Sequence, residues 1–154
     1  MPSYKKVIKK LLKRNITISI AESCTGGILS SKFISEAGVS KIFNMGLITY
    51  SNKAKSNLLK ISQHQIKKYG AVSYQTATLM VKNLKILSKS KLCISTTGIA
   101  GPSGGTKVKP VGLIYFGIKY KNKTMILEKK FKGTRIQIQQ KTVRAIFSTL
   151  EELI

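Results

Sequence analysis

The 154 residues include 25 Lys and 3 Arg against 5 Glu, with no Asp and a single His, for a formal charge of +23. That length suits one domain burying roughly 68–70% of its unfolded-chain surface, and a hydrophobic share of 42% with 21% charged residues is that of a globular chain rather than a disordered one. The composition excludes an Asp-centred triad, an aspartyl phosphate, an Asp-based magnesium site, a histidine cluster and a four-Cys zinc site, since His64 stands alone and Cys24 and Cys93 are far apart.

Taken in chain order, the hydrophobic pattern alternates in the α/β manner. Residues 4–14 predict a basic amphipathic helix with Val7, Ile8, Leu11 and Leu12 on its apolar stripe. The stretch from Met1 onward lacks the long apolar segment and small-residue cleavage site of a secretion signal, so it reads as a surface helix, with an Arg-poor mitochondrial leader as the weaker alternative. A strand over 17–21 runs into Gly26-Gly27, which opens a helix over about 27–37 closed by Gly38. Residues 43–50 predict a buried strand, Ser51 caps a helix through Leu59, Ser62 caps a turn ending at Gly70, and Ser73 caps a helix to about Ser88. A strand over 92–97 precedes a glycine-rich loop over 98–105, a hairpin of 111–120 and 124–131 follows, and 135–153 predicts a final helix. No linker or repeat interrupts the chain, so residues 1–154 read as one α/β domain.

No segment approaches the roughly 18 apolar residues of a membrane span, and two cysteines are too few for a disulfide scaffold, which points to a reducing cytoplasm. Lysines are scattered from Lys5 to Lys141 rather than gathered with aromatics on one element. The charge therefore reads first as a solvated surface, then as steering of an anionic small substrate, and last as nucleic-acid binding.

Open α/β sheets bind ligands at the carboxyl ends of their strands, and three segments there carry unusual chemistry. In Ala21-Glu22-Ser23-Cys24-Thr25-Gly26-Gly27 a strand delivers Ser23 and Cys24 to a helix start whose free N–H groups suit an anion or oxyanion. The plainer alternative is a capping residue and a glycine turn. In Tyr50-Ser51-Asn52-Lys53-Ala54-Lys55 a lysine sits in the first turn of a helix, where the dipole favours the neutral amine. Lys is so common here that chance placement competes with that reading, and the Ser-x-x-Lys spacings at Ser3/Lys6 and Ser88/Lys91 are discarded as chance. In Thr96 to Gly105, four glycines follow a strand without forming a Walker loop or a dinucleotide fingerprint, which suggests backbone approaching a ligand or a tight connection.

Together AESCTGG (21–27), GLITYSNKAKSNLL (46–59), GAVS (70–73), TTGIAGPSGGTKVKPVG (96–112) and GTR (133–135) resemble, in order and spacing, the carboxy-terminal domain family of the competence/damage-inducible protein CinA. The resemblance spans nearly the whole chain. It implies a layered α/β/α sandwich with a mixed sheet, a homo-oligomer, no cofactor and no metal. It also implies hydrolysis of the carboxamide of nicotinamide mononucleotide to nicotinate mononucleotide and ammonia. Carried over position by position, Ser23 is the nucleophile, Lys55 the general base and Tyr50 a helper on the proton path. Thr25, Gly26, Gly27, Thr97, Gly98, Gly101, Gly104, Gly105 and Arg135 are the expected substrate contacts, with Arg135 first for the phosphate and the helix start at Gly26-Gly27 as its competitor. Gln139 stands where the family usually has a second Arg, and Cys24 is a rival nucleophile: strand alternation lets only one of Ser23 and Cys24 face the pocket, and the resemblance selects Ser23. Two alternatives accompany this reading: a non-catalytic binding module associated with nucleic acid in competence or repair, and an amidase acting on a related small amide.

Overall fold

The computed structural model describes residues 3–154; Met1 and Pro2, included in the expected surface helix, lie outside the described residues. Helix α1 (Ser3–Lys13) buries Val7, Ile8 and Leu11, the stripe its spacing predicts. Strand β1 (Ile18–Glu22) leads through a turn to α2 (Ile28–Ile34), and after a 3₁₀ turn at Val39–Lys41 comes β2 (Phe43–Ile48). Helices α3 (Asn52–Leu59), α4 (Gln63–Tyr69) and α5 (Tyr74–Ser88) then lead to β3 (Leu92–Gly98), β4 (Leu113–Tyr120), β5 (Lys123–Lys130) and α6 (Arg135–Leu153).

The strands form one sheet in the order β2-β1-β3-β4-β5. β1 runs parallel to β2 and β3, while β4 and β5 are antiparallel additions, so the sheet is mixed. Its two faces are built differently. Ile18, Ile20, Leu92, Ile94, Phe116 and Ile118 pack with residues of α1, α2 and α6 into the larger core. The other face is small: Ser19, Ala21, Cys93, Ser95 and Gly117 leave room for α5, and the Ser95 hydroxyl donates to the Ala77 carbonyl at 2.9 Å. A Cβ on Gly117 would lie 2.7 Å from Ser95 Oγ and 3.0 Å from Val81 Cγ1, so the helix could not sit that close. With α3 and α4 joining α5, the layers are α/β/α.

The expected caps at Ser51, Ser62 and Ser73 are present, each accepting from the N–H three residues on. Thr134 forms a capping box with Gln137 and starts α6 at Arg135.

Three expectations need correction. The strand at 43–48 is not buried but lies at the sheet edge, and its residues alternate between half-buried and exposed. The second helix stops at Ile34 rather than 37, because the chain leaves it at Ser35 to enter the turn at Gly38 (φ 83°). The hairpin is tighter than expected, pairing Tyr120 with Lys123 around Lys121, which holds φ 53° without being glycine.

Candidate functional site

β1, β2 and β3 end side by side, and the loops leaving them enclose a cavity of about 270 Å³. Ser23 comes from the turn after β1, Tyr50 and Lys55 from the β2–α3 junction, Thr97 and Gly98 from the end of β3, Gly101 and Gly104 from the loop beyond, and Arg135 from the start of α6. β1 is the strand at which the chain's connections reverse direction, leading to β2 on one side while β3 lies on the other, which is where α/β sheets open a crevice.

Lys55 is 1% exposed, although it is a lysine in a helix's first turn. Its side chain folds back so that Nζ lies 2.8 Å from Thr49 O, 3.3 Å from Tyr50 O and 3.1 Å from Ser23 Oγ. Among the described residues no carboxylate pairs with it: the ion pairs join Lys5 to Glu36, Lys6 to Glu151 and Lys130 to Glu128. Burial without an opposite charge disfavours the ammonium and lowers the amine from 10.5 to about 8. The polarity of its contacts then matters. Carbonyls only accept, so a neutral amine gives its two N–H groups to Thr49 and Tyr50 and turns its lone pair to the Ser23 hydroxyl.

Glu22 sits one residue before Ser23 and is wholly buried. Its carboxylate accepts from Thr25 Oγ1 at 2.6 Å and from the N–H groups of Gly27, Leu29 and Ser30 at 3.1, 3.1 and 2.7 Å. The start of α2, expected to be open to an anion, is thus filled by the chain's own carboxylate. Gly26 and Gly27 shape this turn, with Gly27 at φ 102°. Neither they nor Thr25 lines the cavity, nor does Gly105.

Two further expectations change in detail. Cys24 does border the cavity beside Ser23, because both belong to a turn rather than to the alternating strand. It is nonetheless 4% exposed and packs with Ala100, Ile114 and Ile138, and burial pushes its thiol up to about 12. Three of the four glycines of 98–105 answer to packing within the protein: a Cβ on Gly98 would meet Ile114 Cδ1 at 2.3 Å, one on Gly101 would meet Val111 Cγ1 at 2.5 Å, and one on Gly105 would meet Val111 N at 2.7 Å. Thr97 borders the cavity, but its hydroxyl donates to Ala71 O at 2.6 Å.

Arg135 closes the mouth. Its guanidinium donates to Gly101 O at 2.7 Å and to the half-exposed Tyr50 hydroxyl at 2.9 Å. Its charge faces neutral oxygens only, which leaves it available to an anion. Gln139, one turn further along α6, points inward and donates from Nε2 to Cys24 O at 2.9 Å. Ala71, Val72, Ile99, Ala100 and Ser103 complete the wall and were not singled out in the sequence. The one signal for the first two is their place in the GAVS run, and Ser103 carries the only hydroxyl in the Gly98–Gly105 loop. The result is a hydroxyl in contact with a buried amine at the floor, apolar walls and a cation at the rim, a set suited to acyl chemistry on a small anionic molecule.

The family model described as the CinA C-terminal domain matches residues 2–154. A CinA-like protein of Fusobacterium nucleatum subsp. nucleatum is 46% identical over 142 residues, covering 92% of this chain and 34% of that protein. The chain spans about a third of the length of the curated relatives it matches. The crystal structure of the competence/damage inducible protein CihA from Agrobacterium tumefaciens superposes with a TM-score of 0.93 at 33% identity, covering 98% of this chain and 93% of that one. That of a competence-damaged protein (CinA) superfamily protein from Escherichia coli gives 0.93 at 27%, covering 99% and 88%.

Proposed function

This chain belongs to the CinA C-terminal domain family, and from that premise we propose that it is a nicotinamide-nucleotide amidase, hydrolysing the carboxamide of nicotinamide mononucleotide to nicotinate mononucleotide and ammonia. The observation that carries the reading is the 3.1 Å contact between Ser23 Oγ and a buried Lys55 Nζ that has no carboxylate partner.

An amide requires a nucleophile stronger than a serine hydroxyl and a base to make it so. Neutral Lys55 takes the Ser23 proton as Oγ bonds to the carboxamide carbon. The resulting ammonium gives that proton to the leaving nitrogen as the C–N bond breaks, releasing ammonia and leaving an ester on Ser23. Water then attacks the ester, Lys55 takes its proton, and Ser23 leaves as the alcohol on recovering a proton from Lys55. Lowering the amine from 10.5 to about 8 raises the fraction of neutral base at pH 7 by roughly two orders of magnitude.

Arg135 supplies the contact for the substrate phosphate. Tyr50 works through two atoms: its carbonyl orients Lys55, and its hydroxyl braces Arg135. The apolar Ala71, Val72, Ile99 and Ala100 suit the face of a pyridine ring.

The test is incubation of the purified chain with nicotinamide mononucleotide, measuring both products. Equal amounts of ammonia and nicotinate mononucleotide, abolished by Ser23→Ala, are expected. Turnover of other small amides but not of this one would move the reading to a related substrate, and absence of any amide hydrolysis would overturn it.

A further inference from the structure

At the end of the sheet opposite Ser23 lies a second cavity, of about 530 Å³, lined by Arg14, Ile16, Lys85, Lys91, Tyr120 and Lys121. It sits at the amino ends of β1 and β3, where Ile18 pairs with Leu92 and Leu92 with Tyr120. Its cations arrive from four separate places: the end of α1, the last turn of α5, the start of β3 and the turn between β4 and β5. They share no motif, so folding gathers what the sequence shows only as scattered lysines.

Chance placement in a lysine-rich chain is the competing explanation. The cavity at Ser23 provides the comparison: two of its fourteen lining residues are cationic, against four of six here. The partners of these cations matter as much as their number. Lys85 Nζ donates to Ser90 O at 2.6 Å and Lys91 Nζ to Asn15 O at 3.0 Å, while Lys121 Nζ lies 5.3 Å from the centre of the Tyr120 ring. Arg14 is already engaged, donating to the Ile154 oxygen. Among the described residues the ion pairs use Glu36, Glu151 and Glu128, and none reaches Lys85, Lys91 or Lys121. Three ammonium groups thus share one concavity with neutral oxygens and a ring face as their partners. Like charges gathered between low-dielectric walls focus a positive potential, and the carbonyl contacts orient two of them without neutralising either.

The ligand chemistry follows. An ammonium has three donors, so Lys85 and Lys91 each keep two for a guest. A single carboxylate cannot answer three cations, whereas a chain of phosphates carries several negative charges in a compact group, and lysine binds phosphate as a point charge. Ile16 and the half-buried Tyr120 add apolar surface beside the lysines. We propose that this cavity binds the polyphosphate group of a small molecule through Lys85, Lys91 and Lys121. The site shares no residue with the cavity at Ser23, and the proposal does not depend on the amidase reading.

The experiment is calorimetric titration of the full chain with sodium triphosphate and with ATP, without added metal, at about 0.15 M salt, where weak surface attraction is screened. One ligand per chain is expected. Replacing Lys85, Lys91 and Lys121 together by Gln should weaken both ligands at least about 30-fold. A control that removes the same charge at Lys67, Lys68 and Lys129, none of which lines this cavity, should weaken them less than about threefold. Equal losses in the two triple variants would show a diffuse field and overturn the proposal, as would no binding of either ligand at about 1 mM. Binding that disappears in Arg135→Ala belongs to the cavity at Ser23 and overturns it too. If the first triple variant does not fold, Lys91→Gln with Lys121→Gln, both at exposed positions, is compared with Lys67→Gln and Lys68→Gln on the same criterion. The two probes also separate the carriers of the group. ATP binding at least about fivefold tighter than triphosphate, with the advantage lost in Tyr120→Leu, assigns a nucleotide, and equal affinity assigns a phosphate chain without a ring.

Discussion

Glu22 at the end of β1 is 0% exposed and Lys55 in the first turn of α3 is 1% exposed, yet the fold surrounds these two ionisable groups in opposite ways. The Glu22 carboxylate meets four donors, three of them the N–H groups at the start of α2, so its charge is stabilised where it lies. The Lys55 amine meets two carbonyls and a hydroxyl and no opposite charge, and burial lowers it to about 8. A buried charge that is fully satisfied holds structure together. A buried amine left without a counter-charge is destabilised as a cation and is thereby made a base.

The largest effect should come from the reactive pair. Ser23→Ala and Lys55→Ala should each reduce kcat by several orders of magnitude, and the double variant should be little worse than either, because the two act as one unit. Lys55→Arg should not rescue, since guanidinium stays protonated. Additive losses in steady-state assays would show that the two groups work independently.

Next is Glu22→Gln, which places an amide donor against the N–H groups the carboxylate receives. It should destabilise the fold by about 2–3 kcal/mol in urea unfolding. A change below about 0.5 kcal/mol would remove Glu22 from its structural role.

Lys55→Met should have the opposite sign. The folded pKa lies below the unfolded one, so between about 8 and 10.5 the folded chain binds fewer protons and stability rises with pH. Below pH 8 the cation is buried at full cost. Lys55→Met should therefore be more stable by about 1–3 kcal/mol at pH 6, with the gap closing as pH approaches 10.5. A gap independent of pH would mean that burial of the charge is not its origin.

Smaller effects test the surroundings. Arg135→Ala should raise KM about tenfold and lower kcat less, as for a group that holds substrate and transition state alike. Cys24→Ser should leave activity within about fivefold, because a thiol pushed up to about 12 is protonated at neutral pH. Loss of turnover in Cys24→Ser with survival in Ser23→Ala would assign the nucleophile to sulfur.

Most of the elements were legible because their signals are local. Ser51, Ser62, Ser73 and Thr134 sit at their helix starts as N-caps, although only the first three were read as caps. The edge position of β2 was not legible, since Phe43–Ile48 is apolar enough for an interior strand and strand order depends on partners distant in sequence. The tight turn at Lys121 lacked the glycine that usually marks one. Within the site, Ser23 and Lys55 were chosen by resemblance and lie in contact. Thr25, Gly26 and Gly27 belong to the same motif but serve the turn around Glu22, because residue spacing does not reveal which donors a buried carboxylate will claim. Gln139 looked like a departure from pattern, and only the packing of α6 reveals its contact with Cys24.

The central claim is that burial lowers the Lys55 amine far enough for its neutral form to activate Ser23. The most direct measurement is NMR titration of the protein carrying 13Cε-labelled lysine, with the Lys55 signal assigned by its loss in Lys55→Met and compared with the pH dependence of kcat/KM for the free enzyme. A midpoint near 8 that coincides with the rising limb of activity is the predicted result. A Lys55 signal that titrates at or above its ordinary 10.5 while the enzyme turns over at pH 7 would contradict it.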